Sequence, residues 1–239
     1  MESAVFAIKV FEFVLLIFSL SFHECSHAWM ASRLGDQTAR LQGRVTLNPI
    51  NHIDIDIVGT LIIPAVIIFG PLIGFSMFSG VLIGWAKPTP VITRNFTKIR
   101  RDDNLTTLAG PVSNLILAVA AILILLFINH FIPNGRQIVI FTMRGLLMPG
   151  ANSSVQAIVL LGIAAVQINL ALLVFNLLPI PPLDGSHLLR NVLPYNAVQS
   201  YDRIPMWVSW LLMFIVGGYI MSLFLGPAFA VVSTVLTRG

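Results

Sequence analysis

The chain has 239 residues, 56% of them hydrophobic and only 10% charged. That balance excludes a soluble globular domain and describes an integral membrane protein. The net charge of +4 fits basic loops facing anionic headgroups. The densest basic run, Lys98-Ile99-Arg100-Arg101, gives way at once to Asp102-Asp103, so no nucleic-acid surface is expected.

The first apolar segment runs from about Ala4 to Ala31, enough to cross a hydrocarbon core of roughly 30 Å. It is too long for a cleavable signal peptide and begins with Glu2 rather than a basic residue. Near its end stands His23-Glu24-Cys25-Ser26-His27. A charged carboxylate at bilayer depth costs at least about 2.5–3.5 kcal/mol, which argues for a function. Helix positions i and i+4 project from one face about 6 Å apart along the axis, so His23 and His27 can share one zinc ion. Glu24, beside the metal without ligating it, is placed to take a proton from water. The bland alternative is a pair of histidines hydrogen-bonding between packed helices. Glu12 lies three helical turns before His23; it is expected to pair with Lys9 at i−3, outside the site. Cys25, the one cysteine, allows no internal disulfide and reads as a small apolar residue.

After Gly35-Asp36 ends this helix, residues 40–47 alternate loosely with a period of two. They predict a short membrane-associated β-hairpin closed by Asn48-Pro49, serving either as an edge for an extended peptide or as a connector. A second apolar stretch, 57–85, is broken by Pro64, Gly70-Pro71, Gly74 and Gly80, and reads as a kinked span or two half-spans. The third span, 105–132, opens with Ala109-Gly110-Pro111 and Ser113-Asn114. Small residues there allow close helix approach, and Asn114 can hydrogen-bond across helices. A fourth span, 155–178, carries Gln167, Asn169 and Asn176; a last one covers 205–236. The expectation is therefore an all-α polytopic membrane protein of five to six transmembrane helices, forming one domain over residues 1–239. Basic residues are divided among the loops in a way that leaves orientation open.

A catalytic zinc takes three protein ligands and keeps an open position. Among ten acidic residues, Asp184 follows an apolar span and the segment Pro179-Ile180-Pro181-Pro182-Leu183. That segment cannot be regular helix and would hold a carboxylate in a fixed place, with Gly185 allowing a sharp turn. His187 is the rival ligand. The chemistry indicated is metal-assisted peptide hydrolysis, with Glu24 passing the proton to the leaving amine. Asn176 is either a donor for the developing oxyanion or a tie for the proline segment.

Taken together, HExxH in a span, Gly110-Pro-Val-Ser-Asn114 in a later one, and Asn176-x-x-Pro-x-Pro-Pro-Leu-Asp-Gly185 resemble the site-2 protease family of intramembrane zinc metalloproteases. Gly43-Arg44-x-Thr-Leu-Asn-Pro49, His52-Ile-Asp54 and Gly84-Trp-Ala-Lys-Pro88 extend the likeness to roughly residues 15–190. The resemblance implies one zinc ion per chain held by His23, His27 and Asp184, Glu24 as catalytic base, and Asn176 positioning substrate. It further implies cleavage of the transmembrane helix of a substrate membrane protein within the bilayer, in regulated intramembrane proteolysis. The chain would be a compact prokaryotic member in the cell membrane, without PDZ or CBS modules, and homo-oligomerisation is left open. One departure stands out: the family's proline after His-Ile-Asp is missing, and Gly59-Thr60 come two residues late, which takes His52 out of the expected site. Two other classes compete. A zinc-holding pseudoprotease or membrane chaperone has no need of Glu24. A metal-ion transporter would repeat its polar ligands across several spans.

Overall fold

The computed structural model describes residues 2–53, 57–74, 89–213, 215 and 218–238. Among these there are helices, turns and connectors, and no strand. The long helix α1 (Glu2–Arg33) is followed by two short ones, α2 (Thr38–Leu41) and α3 (Pro49–Ile53). A π-helical turn, Val58–Ile62, leads into α4 (Ile63–Phe69) and a 3₁₀ turn, Gly70–Ile73. Beyond a further 3₁₀ turn, Thr93–Asn95, come α5 (Ile99–Phe131), α6 (Gly135–Met143), α7 (Ser153–Asn176), α8 (Asp184–Val192), α9 (Tyr195–Tyr201), α10 (Met206–Leu212) and α11 (Gly218–Arg238).

Four of these are long and apolar enough to cross a membrane: Val5–Arg33, Ile99–Phe131, Ser153–Asn176 and Gly218–Thr237. The molecule is a multi-pass membrane protein. Exposed apolar side chains follow its outer faces, among them Phe6, Phe11, Val14 and Phe18 on α1 and Ile116, Leu123 and Phe127 on α5. In lipid such faces need no cover, while the helical backbone satisfies its own polar groups. Lys9 and Glu12 form the expected i,i+3 pair, at 2.7 Å.

The centre is a three-helix unit. Ala118, Ala121 and Leu125 of α5 pack with Val159, Val166 and Leu170 of α7. Leu16 and Leu20 of α1 meet Ile168 and Leu172 of α7. Because lipid is as apolar as these side chains, close packing of small residues rather than water exclusion holds such helices together. α5 starts six residues before its apolar run, with Asp102 folding back to accept the Lys98 N–H at 2.8 Å.

The expected β-hairpin over 40–47 is not formed. Residues 38–41 are α2, and the Arg44 N–H closes its end on the Ala39 carbonyl at 3.0 Å. Thr46 Oγ1 then accepts from the Asn48 N–H, and Asn48 Oδ1 accepts from the Ile50 N–H, each at 3.1 Å. Asn48-Pro49 is thus the cap and first residue of a helix, not the close of a strand. The alternation was loose and broken by Gly43, and local side-chain-to-backbone bonds decided the segment instead. The peptide-pairing edge expected there falls with the hairpin.

Of the second apolar stretch, the described part is helical in short pieces broken where its prolines stand, with Pro64 opening α4 and Pro71 inside the 3₁₀ turn. Gly80 and Gly84-Trp85-Ala86-Lys87-Pro88 lie outside the described residues, as does Asp54. The last expected span comprises α10 and α11, with residues 214, 216 and 217 outside the description. Gly185 does not make a turn. It is the second residue of α8, where a Cβ would stand 2.2 Å from the Leu177 carbonyl oxygen, so glycine lets α8 press against the end of α7.

Candidate metal centre and active site

Helices α1, α5, α7, α8 and α10 and the segment 89–93 line one cleft of about 400 Å³. α1 brings His23, Glu24 and His27, all buried. The two rings stand edge to face, 4.6 Å between centroids, with their Nε2 atoms 3.0 Å apart. Asp184, first residue of α8, aims Oδ2 at the same point, 3.1 Å from His23 Nε2 and 3.3 Å from His27 Nε2. No other group of three possible metal ligands occurs among the described residues. His187 lines the cleft without joining that group. His52 is buried elsewhere, its ring donating from Nε2 to the Thr46 carbonyl at 3.0 Å.

The far sides of both rings are tied to α5. His27 Nδ1 donates to the Thr106 carbonyl at 2.8 Å and His23 Nδ1 to Asn114 Oδ1 at 2.6 Å. With Nδ1 protonated, each Nε2 keeps its lone pair. In the neutral rings three acceptors therefore converge on one point, and Asp184 Oδ2 is buried without a hydrogen bond. Left alone, such a cluster repels itself; a cation resolves it.

Gly110 of α5 leaves the room for that cation. A Cβ built on it would fall 2.3 Å from His27 Nε2 and 2.5 Å from His23 Nε2, filling the space the ligand atoms face. Pro111, next in the helix, cannot donate a backbone hydrogen bond, and Ser113 Oγ takes the Gly110 carbonyl at 2.6 Å. The set, two imidazoles and one carboxylate with one side open to a cleft, is the donor set of a catalytic zinc site.

A model of peptidase family M50 matches residues 11–217. The chain belongs to peptidase family M50. Over 217 residues it is 36% identical to "Putative zinc metalloprotease YwhC" of Bacillus subtilis (strain 168), covering 87% of this chain and 82% of that protein. Over 177 residues it is 31% identical to "Putative zinc metalloprotease Rip2" of Mycolicibacterium smegmatis (strain ATCC 700084 / mc(2)155). That match covers 72% of the chain but only 55% of the relative. No solved structure matches the chain significantly. The resemblance to site-2 proteases holds, and this M50 peptidase is an intramembrane zinc metalloprotease whose cofactor is Zn²⁺. Its substrates are membrane proteins in the bilayer.

Three features of the M50 site were not read from the sequence. Thr89 Oγ1 donates to Glu24 Oε2 at 2.7 Å. The signal was present, since Pro88 and Pro90 flank Thr89 and a residue before proline is held extended. Second, the segment bearing Thr89 is fastened to the far end of α1. There the buried Asp36 accepts from the Ile92 N–H (2.7 Å), Asn95 Nδ2 (2.8 Å) and both Thr38 Oγ1 (2.6 Å) and its N–H (3.1 Å). Burial pushes the Asp36 carboxyl up, but these four donors outweigh it and hold it below its ordinary value. Third, Asn169 of α7 stands behind Asn114, accepting from its Nδ2 at 3.0 Å.

Proposed function

We propose that this protease hydrolyses peptide bonds within or near the transmembrane helices of its substrates, with His23, His27 and Asp184 as zinc ligands and Glu24 as catalytic base. The observation carrying this reading is the convergence of three lone-pair donors beside a carboxylate at the wall of one cleft. Zinc held there supplies Lewis acidity toward the scissile carbonyl and brings the pKa of water toward neutrality.

The chain's own groups do the rest. Thr89 occupies Glu24 Oε2, so Oε1 is the oxygen that takes the water proton and then delivers it to the leaving amine nitrogen. Asn176 lines the same cleft and spends one amide N–H on the Leu172 carbonyl at 3.0 Å. Its second N–H is free for the substrate backbone or the developing oxyanion. A substrate helix hides its own amides and must be unwound at the cut. The cleft suits this step by combining the apolar Leu20, Phe175, Trp210 and Met213 with polar groups beside Glu24.

All three ligands come from one chain, so residues 1–239 act as a single protease domain and the site needs no second copy. The chain crosses a prokaryotic cell membrane five to six times and serves regulated intramembrane proteolysis. The test is cleavage of a reporter transmembrane helix in detergent, with zinc assayed in the same samples. Wild type should cut and hold one zinc, while Glu24→Gln holds zinc and cuts about 10²–10⁴-fold more slowly. Equal cutting by the variant would remove Glu24 from its role. Zinc held by both without cleavage of any reporter would favour the pseudoprotease.

A further inference from the structure

The two ligand histidines are oriented by unlike groups. His27 Nδ1 faces a backbone carbonyl, which can only accept. His23 Nδ1 faces the side-chain amide of Asn114, and an amide can be turned over. Turned, it would offer its NH₂ to a bare Nδ1 and place the ring proton on Nε2. The bond between the two side chains would survive, but the ligand lone pair would be gone.

What selects between the two lies one helix further away. The Ala165 carbonyl can only accept, so of the two ends of the Asn169 amide it is the nitrogen that faces it, at 2.9 Å. Asn169 Oδ1 is thereby turned toward α5, where it accepts from Asn114 Nδ2 at 3.0 Å. Asn114 Oδ1 is left for His23 Nδ1. Both amides are buried, at 0% and 2% exposure, where a reversed group leaves partners unpaired.

We propose that Asn114 and Asn169 form a positioning pair that holds His23 in its metal-binding tautomer, the direction of the chain being set by a backbone carbonyl of α7. Asn169 touches no ligand and acts only through Asn114. The inference rests on the zinc-site reading above.

The experiment measures zinc affinity of the full chain in detergent by competition with a chromophoric chelator, together with the absorption of the Co²⁺-substituted protein. Asn169→Leu should weaken zinc binding about 10- to 100-fold, the range for groups that orient a ligand histidine. Asn114→Asp alone should bind zinc more weakly than wild type, because its second oxygen would face Asn169 Oδ1, an acceptor held there by α7. The double variant Asn114→Asp with Asn169→Leu removes that acceptor, and a carboxylate has no donor to turn toward Nδ1, so wild-type affinity and the wild-type Co²⁺ spectrum should return. Loosened packing between α5 and α7 would instead weaken Asn169→Leu and the double variant alike. Wild-type affinity in Asn169→Leu, or a double variant as weak as Asn169→Leu, overturns the pair. Absence of zinc from the wild-type protein overturns the metal-site reading first, and is recognised before any variant is compared.

Discussion

Replacing Gly110 with alanine adds one methyl group at the point that the Nε2 atoms of His23 and His27 face. Its Cβ would lie 2.3 Å from His27 Nε2 and 2.5 Å from His23 Nε2, against 3.4–4 Å for an ordinary contact. The intrusion is thus about 1 Å, and there are two ways to relieve it. If α1 and α5 separate, overpacking costs about 1–3 kcal/mol. If the rings turn away, they forfeit the bonds to Thr106 and Asn114, each worth about 0.5–1.5 kcal/mol. The costs are alike, so the outcome is a mixture of both. Either route moves Nε2 atoms by several times the roughly 0.2 Å that a metal site tolerates. Gly110→Ala should therefore lose at least about 100-fold in zinc affinity while remaining helical and membrane-inserted. Zinc per chain, measured after equilibration with a zinc buffer and read beside the circular dichroism melt, checks this. A Gly110→Ala protein binding zinc as wild type does would refute the close approach of α5 to the two rings.

Thr89→Val keeps the shape of the side chain and removes the donor to Glu24 Oε2. A hydrogen bond to a charged group is worth about 1.5–3 kcal/mol, so reporter cleavage should fall about 10- to 150-fold with zinc content unchanged; an unaltered rate would detach Thr89 from catalysis. Asp36→Asn should lower the melting free energy by about 1–3 kcal/mol at neutral pH, since the amide cannot accept at both oxygens. The Asp36 carboxyl is held below its ordinary value, so its contribution is complete above about pH 4 and drains away as the pH falls through the lower folded value. The wild-type melting temperature should accordingly lose an acid-dependent increment that Asp36→Asn lacks. A pH profile of the same shape in both proteins would place the stabilisation elsewhere.

Much of the site was legible because its spacing is local. His23 and His27 share a helix face whatever surrounds them, and the prolines before Asp184 fix its backbone without reference to the rest of the chain. Asn114 was readable as a cross-helix bond, though not its partners, because these depend on how α5 and α7 are rotated against each other. Thr89 and Asp36 form their bonds across 65 and 56 residues of chain. No periodicity reports such pairings. The segment 40–47 was misread for the opposite reason. Its alternation was a true local pattern, but Thr46 and Asn48 offered the backbone closer partners than a second strand could. Gly110 was seen as a residue that lets helices approach, whereas the approach is to two imidazoles.

The third ligand also has a consequence in time. Membrane chains are made from the N-terminus, and α1 is in place long before α8 has been synthesised. A nascent chain that already displays His23, Glu24 and His27 has no Asp184, and hence no complete donor set. If those three residues hold the metal, the cutting apparatus is incomplete throughout the insertion of α1. It arms only when nearly four-fifths of the sequence has emerged and α8 folds back against α5. A protease that works among unprotected helices is thereby kept from its neighbours, and from its own unfinished spans, by the order in which its ligands are made.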